Sequence, residues 1–259
     1  MDFSQIAIRC HALGNVVEDP KKTRWLTLAQ HNELLALQAR PTRTEKQDQK
    51  LQELIGKADA DIDFDLTQTA KRYVENLVRE TLFQFRYFGG SRATQKGTMT
   101  EQDVIDMLNR VDFKSYKKNE DTYTNDYVSG TCDIKDEQQA LVIDVKSSET
   151  KKTFPMIPEE GKSALYEAQL RGYCYLLNSK GILIKNMLLV YGLVDTPDEL
   201  IKDYEDTSLH YVSNIPEILR ITKIGYTRCE YFEAKIEYKV KECRKYAQHY
   251  YNQIISKNG

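Results

Sequence analysis

The sequence predicts a mixed α/β domain, and three observations carry that prediction. Residues 66–85 have a helical apolar period, residues 123–146 hold two β-like runs with a short polar break between them, and a second helix then precedes a third strand. Helix, strands, helix, strand and a helical tail in that order place the chain among folds in which helices pack on a sheet.

Residues 1–65 are polar and irregularly patterned. The stretches EDPKKTR and ARPTRTEKQDQK read as turns around a helix at Leu26–Gln38, so this part is expected to be an N-terminal extension lying on or beside a main domain at 66–259. In DFDLTQTAKRYVENLVRETLFQFR, residues Tyr73, Leu77, Val78, Leu82 and Phe85 share a helical spacing, and Asp65 or Thr67 is positioned to cap the helix. After a break at Gly89-Gly90, TEQDVIDMLNRV reads as a short helix. Tyr123–Ile134 and Gln139–Lys146 read as strands of a hairpin joined by residues 135–138. SALYEAQLRGYCYLLN brings Leu165, Gln169, Tyr173 and Leu176 near one helical face, and Met187–Val194 follows as a strand. Residues 228–256 form a long helix rich in Tyr and Lys, and no internal repeat is present.

Composition narrows the class without naming a chemistry. With 259 residues, 41% hydrophobic and 29% charged, the chain is an ordinary globular protein with enough sequence for a sizeable core. The net charge of −2 gives no global sign of a polyanion binder, although residues 220–245 carry eight basic against four acidic side chains. The five cysteines are widely spaced with no CxxC pair, which argues against a disulfide framework or zinc site and favours a reducing, cytoplasmic setting. Neither a signal peptide nor a membrane span is expected, because Lys185 and Asn186 interrupt the longest apolar stretch, Ile182–Val194. No GxSxG, HExxH, Rossmann glycine pattern or GxxxxGK[ST] occurs, which removes serine hydrolases, zinc proteases, dinucleotide enzymes and P-loop ATPases.

One residue conflicts with its surroundings. Asp144 lies inside the apolar run Ala140–Val145, where a buried carboxylate is costly unless something pairs with it. On a strand, Asp144 and Lys146 project to one face while Val145 turns to the other, and a hairpin would bring Asp133 close to Asp144. Two close carboxylates repel and raise each other's pKa unless a cation sits between them, and Mg²⁺, an oxygen-seeking ion, meets that need. Lys146 would then orient or deprotonate a water, or neutralise charge developing on a phosphate. The alternative is purely structural: Asp133 caps a turn and Asp144 pairs with Lys146.

An Asp followed about ten residues later by acid-x-Lys on a core strand resembles the PD-(D/E)XK nuclease superfamily, with TCD and IDVKSS as the two halves. Gln169 and Tyr173 in YEAQLRGYCYLL match the Q-xxx-Y helix of RecB-type and lambda-exonuclease-like members, and KRYVENLVRETLFQF is similar to the helix that supplies a further glutamate. The resemblance covers 66–194. It implies a restriction-endonuclease-like core, a central mixed sheet flanked by helices, and Mg²⁺- or Mn²⁺-dependent hydrolysis of DNA. Asp133, Asp144, Glu75 and the Val145 carbonyl would bind metal, with Glu80 as the alternative to Glu75. Lys146 would assist the attacking water, and Gln169 and Tyr173 would support the site or contact the DNA backbone.

The family's Pro before the first Asp is Cys132 here, and Cys229 and Cys243 cannot supply the cysteine cluster of iron–sulfur members. A stand-alone nuclease is the expectation, most simply an exonuclease of the phage recombination type acting on double-stranded ends. By resemblance it would be a trimer working with a single-strand-annealing protein. Lys151, Lys152 and Lys162, together with Arg79, Arg86 and Arg92, are candidate phosphate contacts. The tail tyrosines, including Tyr226, Tyr231, Tyr238 and Tyr246, are candidates for base stacking or, more simply, for packing. A structure- or sequence-specific endonuclease and a non-catalytic DNA-binding or assembly protein on the same fold are the alternatives.

Overall fold

Successive side chains of the central strand point to opposite faces, both of them buried, and each face belongs to its own core. The structure, a computed structural model, describes residues 1–20, 26, 28–58, 64–86 and 90–258. Its strands are β1 (Ile8–Arg9), β2 (Tyr123–Thr124), β3 (Val128–Gly130), β4 (Ile134–Asp136), β5 (Leu141–Ser147), β6 (Asn186–Gly192) and β7 (Ile221–Thr227). Its helices are α1 (Leu13–Val16), α2 (Leu28–Gln38), α3 (Glu45–Ala58), α4 (Gln68–Phe83), α5 (Arg92–Asp112), α6 (Pro158–Gly161), α7 (Ala164–Ser179) and α8 (Glu230–Asn258). The larger sheet has the order β4-β5-β6-β7, with β5 and β6 parallel and both outer pairs antiparallel. The smaller has the order β1-β3-β2, also mixed.

A parallel pair needs a crossover, and α6 and α7 supply it between β5 and β6. Val142 of β5 packs with Leu189 and Ile224 into the core beneath α7, α4 and α8. Ile143 and Val145 point the other way, joining Ile134, Val190 and the α5 residues Val104, Ile105 and Leu108. The sheet is therefore covered on both faces, as a mixed α/β core requires.

Polar side chains start three of the main helices, α4, α5 and α7. Thr67 accepts a hydrogen bond from the Ala70 N–H, Ser91 from Thr94 and Ser163 from Tyr166. Of the two caps proposed for α4, Thr67 is the one used. The C-terminal ends of α4 and α5 turn through left-handed residues, Gln84 and Phe113.

Several elements differ from the sequence expectation. The expected strand at 123–134 is three short strands shared between two sheets, because the Asn125 side chain accepts from Tyr127 and Val128 N–H groups and folds the chain into a turn. The hairpin turn falls at Glu137–Ala140, two residues later than expected, with Ala140 at a φ of 51°. α5 begins eight residues earlier than its apolar signal, since Arg92–Met99 is polar and is held by the buried Lys96. α3 forms where turns were expected, with only Leu51 and Leu54 buried, against Leu34 and Leu37 of α2. β7 lies within the basic window and was not expected as a strand. Residues 21–24 of EDPKKTR and Gly89 lie outside the described residues.

Residues 3–17 pack into the same core as the sheet: Phe3, Ile8, Cys10, Leu13 and Val16 are all buried there. α1 lies so close to α7 that a Cβ on Gly14 would stand 2.6 Å from the Leu165 Cα. Among the described residues, no helix is long and apolar enough to cross a membrane.

Because the Gly14 contact is with backbone, it cannot be relieved by a rotamer change. Gly14→Ala is expected to destabilise the protein by about 1–3 kcal/mol in denaturant melts, the usual cost of overpacking. Gly56→Ala on α3, where a Cβ meets nothing within 4 Å, is expected to cause no loss in the same measurement.

Candidate active site

Asp144 is fully buried, and its neighbours come from three other positions in the fold. Lys146, two residues along β5 on the same face, places its Nζ 2.6 Å from Asp144 Oδ2. Gln169, on the first half of α7, donates from Nε2 to Asp144 Oδ1 (3.2 Å) and to the Tyr173 hydroxyl one turn later (2.9 Å). The Lys146 ammonium also stands 4.9 Å from the centre of the Tyr166 ring, so an aromatic face covers it. The β4–β5 register pairs Ile134 with Ile143, and one step further the same register sets Asp133 opposite Asp144. Asp133 is held there by the Val145 N–H, which donates to its Oδ2 at 2.7 Å.

This packing perturbs every charge in the group. Burial first, and then the facing Asp144 carboxylate, pushes the Asp133 pKa up to about 8. Burial likewise raises Asp144, against the opposing pull of Lys146. Burial works against the charge on Lys146, but Asp144 and Asp133 outweigh it and hold the ammonium above the ordinary lysine range.

The group opens into a cavity of about 550 Å³ between α5 and α7, lined by Asp133, Asp144, Val145, Lys146, Tyr166 and Gln169, and on the α5 side by Thr94, Gly97, Thr98 and Glu101. Two further acids line it that the sequence pattern did not single out: Glu149, which is bound to Arg92, and Glu101. The Glu101 charge adds to the upward shift of both aspartates. The sequence holds only part of the signal: Glu101 is the second residue of the helix expected at TEQDVIDMLNRV, three and four positions before Val104 and Ile105, and it is their packing against β5 that turns it to the cavity.

Glu75, the acid expected in this role, is elsewhere. It accepts a hydrogen bond from the Tyr246 hydroxyl of α8 (2.8 Å) and pairs with Arg79, and it does not line the cavity. The helical face that carries it is turned to the C-terminal helix. Glu80 is bound to Arg9 at 2.5 Å and lines a neighbouring cavity of about 490 Å³ with Arg9, His11, Asn76 and Arg86; the two cavities share Thr94. Arg79 bonds to Asn76 and Tyr250, and Arg92 to Glu149 and Glu205, so both are committed to packing the protein rather than standing free. Lys151 donates to the Ser208 carbonyl, and Lys152 and Lys162 are exposed on the segment that follows β5. The structure thus gathers Asp133, Asp144, Val145, Lys146, Gln169 and Tyr173 and leaves Glu75 and Arg79 outside.

The donor set suits a hard divalent cation. Asp144 Oδ2 is buried and meets no hydrogen-bond donor in bonding geometry, despite the nearby ammonium. Among the described residues no three His, Cys, Asp or Glu side chains already converge on one point. Mg²⁺ does not need them to, since it keeps several waters and is commonly held by one or two carboxylates.

No family model matches the chain, and no curated protein matches it in sequence. Solved structures do. A phage-related exonuclease from Haemophilus somnus 129PT superposes with a TM-score of 0.73 at 25% identity, covering 98% of this chain and 97% of its own. An alkaline exonuclease, LHK-Exo, from Laribacter hongkongensis superposes at 0.53 with 14% identity over 74% of this chain and 88% of that one. LHK-Exo in complex with dAMP gives 0.51 and 12%, over 95% and 98%. The fold is that of phage-related and alkaline exonucleases, the group that the sequence motifs resemble, and the likeness supports a nuclease.

The raised Asp133 pKa fixes a pH dependence. The folded chain keeps this proton up to about pH 8, whereas the unfolded chain releases it near its ordinary 3.8. Unfolding therefore releases a proton within that window, and stability without metal falls as pH rises through it. Chemical denaturation in EDTA at stepped pH is expected to show this slope, and Asp133→Asn, which keeps an acceptor for the Val145 N–H, is expected to flatten it.

Proposed function

We propose that this chain is a divalent-metal-dependent deoxyribonuclease that digests DNA from double-stranded ends. The observation that carries the proposal is the fully buried Asp144, facing Asp133 across the β4–β5 register and paired with Lys146 at 2.6 Å, at the wall of an open cavity. A structural ion pair has no need of a second acid facing the first or of a cavity.

Asp133 and Asp144 would hold the cation, with the Val145 carbonyl and Glu101 beside them. Bound there, Mg²⁺ or Mn²⁺ would supply a nucleophile at neutral pH and offset charge on the phosphate. Lys146 is held protonated by its carboxylate neighbours, so its part is to donate to, and neutralise, a phosphate oxygen rather than to remove a proton from water. Gln169 fixes the Asp144 carboxylate from the side opposite Lys146, and Tyr173 fixes Gln169. That chain keeps the metal-binding oxygens in one orientation before substrate arrives.

The DNA backbone would run from this cavity past Thr94 into the neighbouring one, where Arg86 offers positive charge beside the Arg9–Glu80 pair, with Lys152 and Lys162 at the other side. The family resemblance extends the proposal to phage-type recombination, a trimer and a single-strand-annealing partner.

End-labelled linear duplex incubated beside a covalently closed circle, in Mg²⁺ and in EDTA, tests this reading. Loss of the linear species alone, only with metal, is expected, and Asp144→Ala and Lys146→Ala are expected to fold and to lose at least about 100-fold in rate. Cutting of the circle would assign an endonuclease, and tight DNA binding with no cleavage in Mg²⁺ or Mn²⁺ would assign a binding protein. In the same assay Glu101→Gln is expected to be impaired by about 10-fold or more, and Glu75→Gln to cleave as the parent does.

A further inference from the structure

The acid that α5 adds to the cavity is already engaged. Glu101 Oε1 stands 3.0 Å from Lys118 Nζ, in the loop that follows α5. That loop is not a free tether. The next residue, Asn119, is buried; its backbone N–H donates to the Asp133 carbonyl at 2.7 Å, and its side-chain amide donates to the carbonyls of Cys132 (3.0 Å) and Asp121 (3.1 Å). Lys118 is thus carried one residue from an anchor on the same segment that presents Asp133.

Two lysines beside the aspartates each have one acid: Lys146 pairs with Asp144, and Lys118 with Glu101, while Arg92 holds Glu149. Asp133 takes the backbone N–H of Val145. With Glu101 drawn to Lys118 and Glu149 to Arg92, no three ligating side chains converge among the described residues, although four acids line one cavity. The pair is also exchangeable, because the Lys118 side chain is 41% exposed and that of Glu101 23%. Water can take over the ammonium when the carboxylate leaves.

We propose that Lys118 is an internal counter-cation that holds Glu101 off the Asp133–Asp144 pair and yields it to an entering divalent ion, so that Lys118 sets the metal affinity of the site. This rests on reading the site as a metal-dependent nuclease centre. Lys118 is a positioning residue here: it acts on the metal through Glu101 and through nothing else.

The experiment is a Mn²⁺ titration of the full chain without DNA, followed by electron paramagnetic resonance of free Mn²⁺ and by calorimetry. Parent, Lys118→Met, Lys118→Gln, Glu101→Gln, the double variant Lys118→Met/Glu101→Gln and Asp144→Ala are compared, with circular dichroism melts to verify folding. Lys118→Met and Lys118→Gln are expected to bind Mn²⁺ about two- to fivefold more tightly than the parent, the size of a partly exposed ion pair. The gain is expected to vanish in the Glu101→Gln background, as a double-mutant cycle requires of a coupled pair. Unchanged or weaker binding in both Lys118 variants would overturn the proposal, and so would an equal gain with and without Glu101, which would show only the general field of a surface charge. Parent binding that is abolished by Asp144→Ala, with no effect of Lys118, overturns this inference and leaves the nuclease reading standing. No Mn²⁺ binding by the parent overturns both.

Discussion

A carboxylate buried in the middle of the central strand is the constraint from which the rest of the site follows. Left alone, Asp144 would carry a desolvation penalty of several kcal/mol, and a strand interior offers it no water. Its environment is therefore assembled from several parts of the chain: an ammonium from the same strand, an amide from the crossover helix, and a second acid from just before the start of the preceding strand. The amide demand fixes α7. Gln169 reaches Asp144 only if α7 lies close over the sheet, and α7 is pressed there by the N-terminal segment. Gly14 against Leu165, and Gly172 against Leu13 and Cys10, are contacts that admit no added methyl group without a shift. Residues far from the acids in sequence thus serve the acids by seating the helix that orients one of them.

The opposite wall is seated by a second buried charge. Lys96 of α5 is 1% exposed, and its three protons go to the carbonyls of Ser148, Glu149 and Val194. Those carbonyls lie just beyond the ends of β5 and β6, where the ladder no longer supplies partners. Burial pushes the Lys96 pKa down to about 8, but three acceptors satisfy the ammonium in full. Four residues later Thr100 donates to the Lys96 carbonyl and bonds to the Ser147 hydroxyl, and Glu101 follows it into the cavity. Arg92 closes the same end by bridging Glu149 and Glu205. The helix that brings Glu101 is held by polar contacts at its first half and by Val104, Ile105 and Leu108 at its second.

What could be read in the sequence follows from which signals are local. α4, α7, β5 and β6 have apolar periods of their own, and the Asp144–Lys146 pair needs only the period-two geometry of one strand. Gln169 and Tyr173 are one turn apart on one helix, so their common face was legible too. Glu75 and Glu101 show the limit. Both are acids on amphipathic helices, and only tertiary packing decides that Glu75 faces α8 while Glu101 faces the cavity. The early start of α5 was hidden for the same reason: its first turns are polar because their partners are backbone carbonyls rather than apolar side chains. β7 and the division of residues 123–136 between two sheets depend on Asn125 and on strand neighbours distant in sequence, which periodicity does not record.

The charges in the cavity finally explain why two lysines stand against its acids. Asp133, Asp144 and Glu101 would repel one another in one cavity, so the proposed metal site needs a resting state as well as a loaded one. Lys146 and Lys118 provide it in different ways. Lys146 is mostly buried and covered by Tyr166, so it stays with Asp144 at a fixed distance and keeps a positive charge where a phosphate oxygen would come. Lys118 is half in solvent and can leave its acid at little cost. One cation is built into the site and the other can be exchanged, so that on the proposed reading the acids stay close before a metal arrives without closing the cavity against it.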